Sequence, residues 1–248
     1  VLDLHCHILP AIDDGPASLE EALAVARFCA ADGITHVAAT PHCHRFLRLL
    51  RADILPHVER FNAELARAGV GLFVLPGSEI QLTNTAAYRA DFEAGLYCHL
   101  GDRAAFTLLE FNWNAGLYPP DAPQLVAWLR GRGTIPIVAH PERHAFFRED
   151  PACLRAVADA GAWLQVTVDS LLGNHGPDPR AAGEEMLRTY PEVVLATDAH
   201  NPRRCSGLSA GYTWVRDHLG EDRAADLRGR AGHVLVQLLG QSGSGSPT

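Results

Sequence analysis

The sequence predicts a single α/β domain in which seven strands, separated by helical sequence, close into a distorted, TIM-like (β/α)7 barrel. Three observations predict it. Short β-like apolar runs alternate with amphipathic helical patterns along nearly the whole chain. The runs are continuously apolar, as in a parallel sheet covered by helices. Residues of metal-binding type stand at or just past the C-terminal end of six of the seven runs, and a closed barrel gathers all its strand ends at one mouth.

The elements follow in order. LDLHCHI precedes helical periodicity over Ser18–Ala31, where Ser18 and Glu21 form a capping-box pattern. HVAATP is followed by a helix over Asp53–Ala68, then by the strand LFVLPGSEI. FTLLEF leads to Pro123–Arg130, IPIVAHP to Pro151–Ala160, WLQVTV to Arg180–Thr189, and VVLATDAH to Ser209–His218. Pro123 and Pro151 fall in first turns, where a missing N–H is harmless. No linker rich in Gly, Ser or Pro interrupts residues 1–240, so one domain is expected there, with the tail QSGSGSPT at 241–248 disordered.

Composition narrows the function. The chain has 248 residues, 47% of them hydrophobic, which is ample for a barrel core. A net charge of -8 without any basic run argues against a nucleic-acid partner and against a polybasic membrane anchor. No 18-residue apolar stretch offers a membrane span, and strand sequence beginning at Leu2 leaves no room for a signal peptide. The six scattered cysteines form no C-x-x-C pair and read as reduced thiols, so the expected location is the cytoplasm. Oligomeric state is not encoded legibly.

The chemistry lies in the strand ends. His5 and His7 are two apart in a strand, so both side chains point one way and can grip one ion. In ATPHCH the proline turns the chain and presents His42. Glu79 in PGSEIQL and Glu110 in LLEFNW sit among apolar neighbours, where an unpaired carboxylate is heavily penalised; each needs a cation, whether a metal or an arginine. IVAHPERH and LATDAHNPRR repeat the form with His140, Asp198 and His200. With one aspartate of the pair Asp13 and Asp14, these make nine ligands, which is more than a lone zinc takes and implies two or three ions. The mixture of imidazole and carboxylate suits Mn, Fe or Zn better than Mg.

HCHILPAIDDGP, ATPHCH, GSEI, LLEF, AHPER, VDSLLGNHG and TDAHN, in this order, resemble the polymerase-and-histidinol-phosphatase (PHP) superfamily. More narrowly they resemble its bacterial capsule-type tyrosine phosphatases, the manganese-dependent partners of bacterial tyrosine kinases. The resemblance covers Leu2 to about Tyr212. It implies the PHP form of the barrel, with three Mn ions for which Fe, Zn or Mg could substitute. It assigns His5, His7, Glu79 and Asp198 to one ion, Glu79, Glu110 and His140 to a second, and Asp14, His42 and His200 to a third. Asp14 takes the ligand place because it precedes Gly15, which leaves Asp13 behind the ligands. A hydroxide bridging two ions would attack the phosphoryl group, with Arg143 and Arg204 forked onto its remaining oxygens. A phenolate of pKa about 10 leaves readily, which makes phosphotyrosine a fitting substrate without a strong general acid. The implied partner is a phosphotyrosine protein, the tail of a bacterial tyrosine kinase, in capsule and exopolysaccharide regulation.

Other readings stay open at this level. A histidinol-phosphate or other small-molecule phosphatase shares the ligands, and so would a non-catalytic metal barrel used for binding. A phosphocysteine route is disfavoured, because no cysteine is followed by arginine at the required spacing. An amidohydrolase commonly uses a bridging lysine, and all 21 basic residues here are arginine. Cys43 and His144 are expected at the rim, and His175 within reach of the mouth.

Overall fold

The computed structural model describes residues 1–114, 116 and 118–240, so the tail expected to be disordered lies outside the described residues. Five of the seven predicted strands are β1 (Leu2–Cys6), β7 (Phe106–Phe111), β8 (Ile135–Ala139), β9 (Trp163–Thr167) and β10 (Val193–Ala196). The other two are each broken. HVAATP gives β2 (His36–Ala39) and, beyond Pro41, β3 (His42–His44); LFVLPGSEI gives β5 (Phe73–Leu75) and β6 (Glu79–Leu82). Proline has no N–H to continue a ladder, and both breaks contain one, Pro41 and Pro76. At the second break, a Cβ on Gly77 would lie 3.1 Å from the carbonyl oxygen of Ala39. A two-residue strand β4 (Leu47–Arg48) pairs antiparallel with β3.

The breaks divide one ring into two ladders, β1-β2-β5 and β10-β9-β8-β7-β6-β3-β4, with every pairing except β3-β4 parallel. The remaining gap is bridged by backbone hydrogen bonds. Asp198 N–H donates to His5 O (2.9 Å), and His7 N–H to Ala199 O (2.8 Å), joining β1 to the segment after β10. Counting each broken strand once, seven strands form the distorted α/β barrel.

Helices α1 (Leu19–Ala31), α2 (Arg51–Arg67), α4 (Ala122–Gly131), α6 (Pro151–Asp159), α8 (Pro177–Thr189) and α9 (Leu208–Leu219) occur where periodicity predicts them, with shifted ends. Four more were not legible: α3 (Thr85–Glu93), α5 (Ala145–Glu149), α7 (Val168–Leu171) and α10 (Glu221–Leu239). The start of α10 is charged and its middle carries Gly229 and Gly232, poor helix formers, yet Leu227, Ala231, Val234 and Leu238 recur at helical spacing and are buried. Val234 and Leu238 pack with Leu2, Leu4, Phe106, Leu108, Ile137 and Val194 in an apolar cluster drawn from strands around the ring. That cluster plugs the barrel below the mouth.

One irregularity aims the site. Leu2 and Leu4 of β1 belong to the inner cluster, so strict alternation would put Cys6 inside and His5 outside. The register against β2 slips between Asp3 and Cys6, and Cys6 packs in the outer cluster instead. The extra residue turns His5 and His7 inward, as β-bulges do beside functional sites.

Candidate metal centre

The nine residues predicted as ligands converge at the mouth. His42 pairs in register with Glu79, and Gln81, two residues on, pairs with Glu110. His140 and Asp198 follow β8 and β10 with φ of 33° and 53°. Non-glycine residues rarely occupy this left-handed region, and such strain is held where function over-determines it. Four groups of donor atoms each lie within 4.8 Å of one another: His7, Asp14, His42 and His200; His5, Glu79 and His140; His5, His7 and Asp198; His42, Glu79 and Glu110.

Hydrogen bonds fix the ring tautomers. Gln165 Oε1 accepts from His5 Nδ1 (2.9 Å) and from the His140 main-chain N–H (3.1 Å). Asp13 Oδ2 accepts from His7 Nδ1 (2.7 Å) and from His42 N–H (3.2 Å). With both Nδ1 atoms donating outward, His5 Nε2 and His7 Nε2 face each other at 3.2 Å as bare lone pairs in the neutral rings. Glu79 and Asp198 oxygens stand 3.3–3.5 Å from those nitrogens. Glu79 Oε2 approaches His42 Nδ1 to 2.9 Å without hydrogen-bond geometry, and both atoms, with Asp198 Oδ1, are buried and unpartnered.

Such a set of donors needs positive charge at its centre. Burial works against protonation of His7 and His42, yet Asp13 and Glu79 hold the first up to about 10, and Asp14 and Glu79 the second up to about 11. Protons there occupy the field that a cation would enter. Glu110 is raised too, which for a carboxyl favours the neutral form: burial, then the neighbouring Glu79, pushes its pKa up. Its partner is Gln81, whose Nε2 donates at 3.0 Å, with His140 Nε2 3.9 Å away. Nitrogen and carboxylate donors in this number fit divalent transition ions.

Asp14 is the exposed edge of the nest, 3.3 Å from His42 Nε2 and 3.5 Å from His200 Nε2, while Asp13 stands behind His7. Arg143 Nη1 donates to Asp198 Oδ2 (2.7 Å), and its guanidinium lies 5.1 Å from the Trp113 ring centroid. Arg204 is exposed on the loop after His200, where its N–H donates to Asn201 O.

A family profile described as "Capsular polysaccharide synthesis, CpsB/CapC" matches residues 1–236. The chain belongs to the CpsB/CapC family. It is 33% identical over 202 residues to the tyrosine-protein phosphatase YwqE of Bacillus subtilis, covering 81% of this chain and 78% of the relative. It is 23% identical over 234 residues to the tyrosine-protein phosphatase CpsB of Streptococcus agalactiae, covering 92% and 94%. A chain from the crystal structures of Bacillus subtilis YwqE and Streptococcus pneumoniae CpsB, described as metal-dependent tyrosine phosphatases, superposes with a TM-score of 0.89 at 29% identity, covering 98% of this chain and 96% of that one.

Against this CpsB/CapC frame, some supporting residues escaped sequence reasoning. Gln165 is a lone amide in the apolar run WLQVTV, and its isolation was the available signal. Trp113 gave no signal; its ring stacks on His144 (4.3 Å, 28°) and nears His140 (5.4 Å, 17°). Cys43 and His144, expected at the rim, are both buried: Cys43 packs in the outer apolar cluster, and the His144 ring packs against Trp113, Phe146 and Phe147. Burial and the nearby His140 push the His144 pKa down to about 2, which leaves it a neutral packing ring. His175 does reach the mouth, held through Nδ1 to Ser170 Oγ (3.0 Å).

Proposed function

We propose that this chain is a metal-dependent protein-tyrosine phosphatase, a hydrolase of phosphoric monoesters. The observation that carries the proposal is the pair of facing imidazole nitrogens, His5 Nε2 and His7 Nε2, ringed by buried carboxylates and lacking a hydrogen between them when neutral. The names of the relatives set the substrate class. The natural substrate is a phosphorylated bacterial tyrosine kinase tail, in control of capsule or exopolysaccharide production, in the cytoplasm. No described helix is long and apolar enough to cross a membrane. Residues 1–240 act as one domain.

Three Mn ions would be the cofactor in this reading: His5, His7, Glu79 and Asp198 would hold one, Glu79, Glu110 and His140 a second, and Asp14, His42 and His200 a third. When bound, such ions supply Lewis acidity toward phosphoryl oxygens and make water a nucleophile at neutral pH. The chain's own groups do the rest. Gln165 and Asp13 keep His5 and His7 in the Nδ1–H tautomer. Arg143, already beside Asp198, and Arg204 at the rim present guanidinium donors to the non-reacting oxygens. A phenolate needs little help in leaving.

The test is phosphate release from a phosphotyrosine peptide, histidinol phosphate and a single-stranded oligonucleotide, with Mn or with chelator. Mn-dependent turnover of the peptide is expected. Activity that survives chelation, or a preference for histidinol phosphate or the oligonucleotide, refutes the proposal.

A further inference from the structure

Two clefts border the nest of ligands. One, of about 420 Å³, runs past Gly15, Glu21, Asn201 and Arg203 and has no aromatic side chain in its lining. The other, of about 410 Å³, is lined by Trp113, Arg143, Arg148, His175, Pro177 and Pro179 among others. Arg143 connects this second cleft directly to the nest through Asp198.

Trp113 is unusual for a large aromatic side chain. It is 49% exposed, although it stands beside two histidines of the mouth. Its neighbours Asn112 and Asn114 are hydrogen-bonded. Asn112 Nδ2 donates to Gln81 Oε1 (3.0 Å), Gln81 Nε2 donates to Glu110 Oε2 (3.0 Å), and Asn114 N–H donates to Asn112 Oδ1 (2.9 Å). A hydrogen-bonded chain thus ties the Trp113 turn to a carboxylate of the nest. On the cleft's other side, Ser170 Oγ donates to the buried Glu142 (2.7 Å), so His175 Nδ1 donates to Ser170 and its ring is fixed. A held aromatic face, prolines and arginines together match an aryl ring attached to an anion.

We infer that the Trp113 cleft is the subsite for the aryl group of the phosphomonoester, and that Trp113 determines selectivity for aryl over alkyl esters. The inference rests on the phosphomonoesterase reading above and adds where the leaving group lies. A phosphoryl group at the nest, gripped by Arg143, has this cleft as its aromatic exit, whereas the cleft past Arg203 offers no ring to stack on. The other exposed aromatic near the mouth, Phe46, is 80% exposed at the β3-β4 tip, with Arg45 stacked on it, and lines neither cleft.

The test is calorimetric binding of phenylphosphonate and methylphosphonate to the Mn-loaded protein, with metal content measured for each variant. Neither ligand is hydrolysed, so the readout does not depend on turnover. The wild type is expected to favour the phenyl ligand by about ten-fold, the equivalent of roughly 1.4 kcal/mol. Trp113→Leu should abolish that preference, Trp113→Phe should keep most of it, and Phe46→Ala should leave it unchanged. A preference that survives Trp113→Leu, or one lost in Phe46→Ala, overturns the inference. So does equal weakening of both ligands in both Trp113 variants, since the ring would then only support the histidines. Equal wild-type affinity for the two phosphonates, with phosphotyrosine turnover intact, overturns the inference alone; failure to bind either overturns the esterase reading and the inference with it.

Discussion

Gln165→Met separates the scaffold of the nest from its ligands. Methionine keeps the length and unbranched shape of glutamine but offers no comparable acceptor. Gln165 is wholly buried, and its Oε1 takes two hydrogen bonds, from His5 Nδ1 at 2.9 Å and from the His140 main-chain N–H at 3.1 Å. Its Nε2 donates to Thr167 Oγ1 at 3.1 Å. The substitution strands two buried donors, each worth about 1–3 kcal/mol, so the metal-free protein should lose about 2–6 kcal/mol. It also frees the His5 ring to change tautomer or rotate, and loss of such an outer partner lowers metal affinity about 10–100-fold. Chelator competition for Mn gives the affinity, and urea unfolding with and without Mn gives the stability. Gln165→Glu still accepts both bonds and should hold Mn more tightly than Gln165→Met. A fall in stability at wild-type Mn affinity would refute the reasoning, because Gln165 would then support the barrel without orienting His5.

Three further outcomes follow from particular contacts. Asp14→Ala should remove one ion per chain by elemental analysis, whereas Asp13→Asn should keep the count and weaken affinity, since Asp13 supports His7 from behind; the reverse pattern refutes the assignment. Burial pushes the His99 pKa down to about 4, so the unfolded chain takes up this proton near pH 6.5 and the folded chain only near 4. Stability from this group is therefore intact above pH 6.5 and lost as pH falls toward 4, by about 1–3 kcal/mol. His99→Leu should flatten that part of the urea-unfolding profile, and an unchanged slope refutes the origin. Gly211→Ala places a Cβ 2.6 Å from Val168 Cγ2 where α9 meets α7, and should lower stability by about 1–3 kcal/mol, read as a fall in Tm; an unchanged Tm would mean the helices part freely.

The residues that hold charge were the most legible part of this chain. A histidine or carboxylate at the end of an apolar run is improbable unless something satisfies it, and six such run ends pointed at one place. The same reasoning separated Asp14 from Asp13 only through the resemblance; in the structure the difference is that Asp14 faces His42 and His200 while Asp13 faces His7. What stayed hidden is what depends on contacts between distant segments. Gln165 acts on residues 160 and 25 positions away, and Trp113 acquires meaning from its stacking on His140 and His144. The α10 plug was obscured because its polar start and two glycines weaken local propensity, while its buried face is fixed by packing under the barrel.

Backbone irregularity explains why periodicity located the ligands without saying how they come to face inward. Alternation from Leu4 would send His5 outward; one extra residue in β1 reverses that for His5 and His7 together. Two prolines end regular pairing, so that His42 and Glu79 open a second, offset ladder with one opposite the other. His140, directly after β8, and Asp198, two residues after β10, adopt left-handed backbone conformations. Each strained residue costs on the order of 1–3 kcal/mol, and the crowded anionic donors add to that cost. Cations offset the charge, while the Leu2, Leu4, Phe106 and Leu238 plug below supplies the burial that holds the strained mouth in shape. The barrel is therefore divided along its axis, with an apolar lower half that stabilises and an upper half whose geometry makes sense only around positive charge.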